Sequence, residues 1–163
     1  MYSFRKANSK DISHIREIAS AVLPAAFSGV LTTEQIDFMF DRLYSQEAMQ
    51  HDFATGQHYT IACCDGVDCG YGSYIRQGPD LYLMPKIYLM NAYKGKGLGR
   101  ALFRELLKQI KEEHPGPCSV ELTLNSHNPS LGFYTKMGMQ KVRESGMDLE
   151  DFYLSQDVLS IDI

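Results

Sequence analysis

Seven residues, Lys94-Gly95-Lys96-Gly97-Leu98-Gly99-Arg100, stand between an apolar, aromatic run from Leu81 to Asn91 and a stretch ending near Glu113. In that second stretch Leu98, Leu102, Leu106 and Ile110 recur at i, i+4 spacing, with Phe103 and Leu107 widening the stripe, which predicts an amphipathic helix. A buried strand, a glycine-rich turn and a helix in that order place the turn where backbone N–H groups can approach an anion. The helix N-terminus adds its own favourable partial charge. Lys94, Lys96 and Arg100 add full charges. A nucleotide P-loop requires Lys-Ser/Thr after its last glycine, whereas Arg100-Ala101 follows here. A dinucleotide fingerprint requires G-x-G-x-x-G, whereas these glycines are spaced G-x-G-x-G. The plainer alternative is a flexible basic turn that caps a helix.

Around this unit the periodicity predicts a strand at Tyr2 to Lys6, then a helix with Ile12, Ile15, Ile18, Ala19 and Val22 on one face, closed by Pro24 and Gly29. A second helix follows Thr32 or Thr33, with Ile36, Phe40 and Leu43 on one face. Tyr59 to Cys64 and Val67 to Arg76 form a hairpin about Asp65-Gly66. Pro85 removes a ladder donor from the Leu81–Asn91 strand and predicts a bulge or an edge there. Beyond His114 to Pro117 come a strand at Ser119 to Leu124, a short helix at Pro129 to Lys136, and strands at Gln140 to Glu144 and Phe152 to Ile161. The pattern is mixed α/β with mostly antiparallel strands and one strand-helix-strand crossover, in a single domain over residues 1–163.

Composition narrows the function classes. The 163 residues are 44% hydrophobic and 22% charged, which excludes collagenous, low-complexity and disordered chains. The formal charge of -4 argues against nucleic acid as a partner. The charge is uneven, however. From Lys86 to Lys111 there are seven bases and one acid, and from Gly146 to Ile163 five acids and no base. No run approaches the ~18 apolar residues that span a bilayer, and Met1 to Asp11 lacks the apolar core of a signal peptide. Cys63, Cys64, Cys69 and Cys118 read as reduced structural thiols. The expectation is a cytoplasmic protein without membrane attachment. The five histidines show no ligand-like pairing, so no metal is expected.

The run Asn91-Ala92-Tyr93-Lys94-Gly95-Lys96-Gly97-Leu98-Gly99-Arg100-Ala101-Leu102 resembles the acetyl-CoA loop of the GNAT superfamily of N-acetyltransferases, Arg/Gln-x-x-Gly-x-Gly/Ala, with Lys94 at the Arg/Gln position. Asn128-Pro129-Ser130-Leu131-Gly132-Phe133-Tyr134-Thr135-Lys136-Met137-Gly138-Met139 is similar to the family's second motif, Asn followed by Phe-Tyr-x-Lys-x-Gly-Phe. The resemblance implies a single mixed sheet with splayed central strands flanked by helices, and acetyl-CoA as co-substrate. It implies that the backbone amides of Lys94 to Arg100 hold the pyrophosphate and that Arg100 and Arg104 serve the distal phosphate. It also implies that Asn128 bonds the pantetheine arm, that Leu89 and its neighbours pair with that arm, and that Tyr134 faces the thioester sulfur.

Tyr134 suits the role of proton donor, because a phenol near pKa ~10 can support a thiol near ~8.5 only while hydrogen-bonded to the departing sulfur. The amine acceptor poses the harder problem. An alkylamine near pKa ~10.4 costs roughly 4.6 kcal/mol to neutralise at pH 7, a peptide α-amine near ~8 about 1.4 kcal/mol. Many members of the resembled family manage this proton with a glutamate on the strand before the loop. Leu81 to Tyr88 carries no carboxylate. Glu121 on the next strand and a chain of waters are the substitutes, and Glu121 reads equally well as an exposed strand residue. Asp148, Glu150 and Asp151 lie where the resemblance places the acceptor cleft. They suggest a cationic amine, and the order of segments also resembles polyamine-acetylating members. The expected function is acetyl transfer to a small-molecule amine such as a polyamine, or to a peptide or protein amine; a homodimer is left open. The alternatives are a non-catalytic acyl-CoA-binding sensor and an interaction protein with a basic helix face.

Overall fold

A computed structural model describes residues Met1–Ile163. Strand β1 (Tyr2–Lys6) passes through a 3-10 turn, capped by the Asn8 side chain, into helix α1 (Ile12–Ala26). Its apolar stripe is buried as the spacing predicts. Pro24 does not close the helix. It forfeits one bond near the end, toward the carbonyl of exposed Ser20, and the turn continues to Ala26. Thr32 caps α2 (Thr33–Tyr44): its hydroxyl accepts from the Gln35 N–H at 3.1 Å while Gln35 accepts from the Thr32 N–H at 2.9 Å. A third helix, α3 (Gln46–Ala54), buries only Met49, too few apolar positions to show a period in the sequence.

Strands β2 (His58–Cys64) and β3 (Val67–Gly78) form the hairpin, with Asp65 and Gly66 at φ 50° and 81°. Strand β4 (Leu81–Leu89) pairs antiparallel with β3. The register jumps from Ser73↔Lys86 to Ile75↔Leu83, so Met84 and Pro85 oppose Tyr74 alone, and Pro85 occupies a bulge. Helix α4 (Leu98–Glu113) crosses over to β5 (Ser119–Asn125), which runs parallel to β4. Gly72 on β3 lets α4 lie close, since a Cβ there would collide with Leu106. Short helix α5 (Leu131–Lys136) leads to β6 (Gln140–Asp148) and β7 (Tyr153–Asp162). The seven strands make one sheet in the order β1-β2-β3-β4-β5-β7-β6.

The joint in the middle of this sheet matters most. Strands β4 and β5 pair only over Leu81–Leu83 and Ser119–Glu121; beyond them the strands part. Two apolar clusters cover the two faces. One gathers Leu102, Phe103, Leu106 and Ile110 of α4 with Val120, Leu122 and Tyr134. The other gathers α1, α2 and α3 over Tyr59, Ile61, Tyr71 and Leu154. No helix is long and apolar enough to cross a membrane.

Candidate active site

Gly95 and Gly97 hold left-handed backbone, φ 78° and 81°. A Cβ at either would meet no atom within 4 Å, so conformation rather than space demands glycine there. Gly97 is the N-cap of α4, with no side-chain cap and no acid in the first turn. The N–H groups of Leu98, Gly99 and Arg100 therefore lack intrahelical acceptors and face outward beside Lys94 and Lys96. The basic stretch divides here. Lys86 is buried against Asp52, Lys108 pairs with Glu105 and Glu112, and Lys111 donates to the Gly116 carbonyl at 2.9 Å. Lys94, Lys96, Arg100 and Arg104 remain exposed about the turn.

The two sequence motifs meet in space. A methyl on Gly99 would touch Leu89 at 3.5 Å and Phe133 at 3.7 Å. A cavity of about 780 Å³ occupies the opening between β4 and β5, and Leu89, Lys94, Gly99, Asn128 and Tyr134 all line it. Its wall continues to the other face of the sheet through Tyr88, Val22, Met39 and Leu43. Tyr134 is 6% exposed and edge-on to Phe103 and Phe133, with ring centroids 5.6 and 5.0 Å away. Burial in that aromatic setting pushes its phenol well above the ordinary value. The Asn128 Oδ1 accepts from the Ser130 N–H at 2.8 Å, an Asx turn that starts α5. That bond leaves its amide NH₂ as the group that can meet a ligand.

Other expected residues stand differently. Glu121 lines the cavity, yet its two carboxylate oxygens accept from the two terminal nitrogens of Arg143 at 3.0 and 2.7 Å. That guanidinium holds the carboxyl below its usual range. The geometry describes an ion pair across β7, joining β5 to β6, rather than a carboxylate free to take a proton. Asp148, Glu150 and Asp151 sit in and beside the β6–β7 turn, away from the cavity wall. Glu150 accepts from Arg42 at 2.8 Å, and the Asp148 Oδ1 accepts from the Glu150 N–H at 3.1 Å. The turn is an anchor to α2 built around buried Leu149.

Lys86 corrects the charge reading. It belongs to the run of bases by sequence, but the bulge at Pro85 turns it away from the glycine turn and under α2 and α3. Its ammonium donates to the Tyr59 hydroxyl at 2.7 Å, to Asp52 at 3.3 Å and to the Leu43 carbonyl at 3.2 Å, and lies 4.0 Å from the centre of the Tyr44 ring. Burial lowers its pKa, and Asp52 opposes that shift. Tyr44 and Tyr71 share a hydroxyl hydrogen bond of 2.7 Å beside it. A lysine inside an otherwise apolar strand was the one signal of this cluster; without knowledge of the bulge it gave no direction.

The family described as Acetyltransferase (GNAT) domain matches residues 28–148. A protein of Bacillus subtilis strain 168, provisionally named a ribosomal protein bS18-alanine N-acetyltransferase, is 28% identical over 137 residues, covering 83% of this chain and 79% of its own. The fold is also that of the PaiA N-acetyltransferase of Thermoplasma acidophilum in complex with coenzyme A, with a TM-score of 0.83, 18% identity, and 100% and 99% of the two chains covered. The ribosomal-protein-alanine N-acetyltransferase of Escherichia coli shares it with a TM-score of 0.73, 12% identity, and 100% and 94% covered. Strand, glycine turn, helix and splayed joint are thus arranged as in a known group of enzymes: the chain belongs to the GNAT acetyltransferase family and is an acetyl-CoA-dependent N-acetyltransferase.

Proposed function

We propose that residues 1–163 act as one unit in which acetyl-CoA occupies the opening between β4 and β5, its pyrophosphate on the Gly95–Gly99 turn and its thioester at Tyr134. The amine then arrives from the side of α1 and α2. One observation carries the reading: a single cavity of about 780 Å³ runs from Lys94 and Gly99, past Tyr134, to Val22 and Leu43 on the opposite face. Bound acetyl-CoA supplies an acyl carbon already activated by a thiolate leaving group.

The protein's part is binding, orientation and one proton. The open N–H groups at the start of α4 and the charges of Lys94, Lys96 and Arg100 hold the phosphates. The Asn128 amide donates to the pantetheine arm. β4 beyond Leu83 has no β5 partner, so backbone groups up to Leu89 are available to the same arm. Tyr134 remains a phenol throughout the neutral range. As charge grows on sulfur its hydroxyl donates, and the low-dielectric aromatic surround strengthens that bond. Because Glu121 is engaged by Arg143, the amine proton goes to water. That favours an amine of low pKa such as a peptide α-amine over a free alkylamine by about 3 kcal/mol at pH 7. The Bacillus subtilis relative, named for alanine acetylation, points the same way. The position of Asp148, Glu150 and Asp151 gives no support to a polyamine acceptor. The four free cysteines suit a reducing compartment such as the cytoplasm.

The test is Tyr134→Phe, read by thiol release with a reactive amine and by thermal shift with coenzyme A. The expected outcome is a fall in kcat on the order of 10²-fold with the coenzyme A shift retained. Unchanged kcat would remove Tyr134 from the chemistry, and no thermal shift in the wild type would overturn the binding site.

A further inference from the structure

The half of the cavity opposite the glycine turn has a chemistry of its own. Val22, Leu23, Phe27, Val30, Met39 and Leu43 of α1, the following turn and α2 line it. The polar groups these elements add are the Ser28 hydroxyl and the Tyr44 hydroxyl, the latter bonded to Tyr71, and none of them is charged. The charged side chains in the whole cavity wall are Lys86, Lys94 and Glu121. Lys94 stands on the glycine turn, and Glu121 has both oxygens on Arg143. Lys86 alone belongs to the α1–α2 side, with its ammonium 4.0 Å behind the face of Tyr44, itself a wall residue. Its partner Asp52 does not reach the wall, so that carboxylate, already engaged by Lys86, offers nothing to a cation in the cavity. A second ammonium on an acceptor would find no unengaged carboxylate to pair with. An aliphatic or aromatic body would find a matching surface.

We infer that the acceptor is a primary amine carried on an apolar body with no second positive charge, seated between α1 and α2. This rests on the acetyl-transfer reading above. In the reaction the amine nitrogen bonds the acyl carbon, the carbon–sulfur bond breaks, and the sulfur leaves with the Tyr134 proton. The proton shed by nitrogen passes to water, and water restores the phenol. Two sources share this chemistry: a free alkyl or arylalkyl amine, and a peptide whose first residue is apolar.

The experiment measures kcat/KM with acetyl-CoA for two matched pairs: hexylamine against hexamethylenediamine, and a tripeptide opening on leucine against one opening on lysine. The expected result is a preference of about tenfold or more for the apolar member of at least one pair, because an unpaired buried ammonium is strongly disfavoured. The pair that shows it identifies the source. Val30→Asp, a half-buried turn position, should shrink that preference with the melting temperature little changed. Equal or reversed preference in both pairs overturns the inference while leaving acetyl transfer intact. It is also overturned if coenzyme A raises the melting temperature and neither apolar member is acetylated. Absence of any coenzyme A shift overturns the underlying reading together with this one.

Discussion

Single residues carry opposite assignments at Tyr134 and Glu121, and burial with partnership separates them. Tyr134 is enclosed by aromatic rings with its environment holding it protonated. Glu121 is held ionised by a bidentate guanidinium that occupies both of its oxygens and lowers its basicity. Glu121→Gln is therefore expected to keep kcat within about threefold while slightly lowering the melting temperature, since it weakens a bidentate ion pair between β5 and β6; general-base loss would instead be on the order of 10²-fold or more. A steady-state rate at pH 7 to 9 decides between them. At this scale the sequence was a partial guide. Tyr134, Asn128 and Gly99 were legible because both motifs are local, each within a dozen residues. The engagement of Glu121 by Arg143, 22 positions away, and of Lys86 by Asp52, 34 away, was not, since no local pattern encodes which strands become neighbours.

Among the elements, the glycine turn and the bulged strand shape the site together. Gly97→Ala places a methyl in left-handed backbone, a strain of about 1 kcal/mol, and tilts the first N–H groups of α4. The expected result is a small drop in melting temperature with a clearly larger rise in KM for acetyl-CoA; a protein unaltered in KM would show that the turn does not hold the phosphates. Most elements were legible from period and turn chemistry. Thr32 and Asp65-Gly66 fixed their boundaries through capping and positive φ. Helix α3 escaped because one buried methionine makes no stripe, and α1 overran Pro24 because a proline near the exposed end of a helix breaks only one bond.

On the scale of the whole molecule, the net charge of -4 is the sum of local arrangements with different roles. Within the basic stretch the unpaired residues are those about the glycine turn, Lys94, Lys96, Arg100 and Arg104, whereas the acidic tail is anchored through Arg42 and Lys141. Another anchor ties the sheet's first strand to its third: both terminal nitrogens of Arg5 donate to Asp68, at 2.6 and 2.7 Å, and hold its carboxyl below the ordinary value. A lowered carboxyl pKa contributes stability that is complete above the unfolded value near ~3.9 and disappears as pH falls through the lower folded value. The pair is partly exposed to solvent, so Asp68→Asn is expected to cost about 0.5 kcal/mol at pH 7. Urea titrations of both proteins should show that gap constant from pH 6 to 8 and closing below about pH 4; a gap that persists at pH 3 would assign the loss to packing.

An open sheet ordinarily has two borders at which a stray strand can add. This one has four, because β4 and β5 separate after three paired residues and expose an inner border on each. Those inner borders lie in the hollow that must stay accessible, so they cannot be hidden beneath a loop. The bulge supplies another defence: Pro85 places a residue with no N–H on the inner border of β4 and breaks the regular spacing that an invading strand would need. A ligand with a few amides on a flexible arm can tolerate that irregular ladder, whereas a continuous polypeptide strand cannot. Replacing Pro85 with a strand-forming residue such as valine would thus be felt first as self-association at high protein concentration.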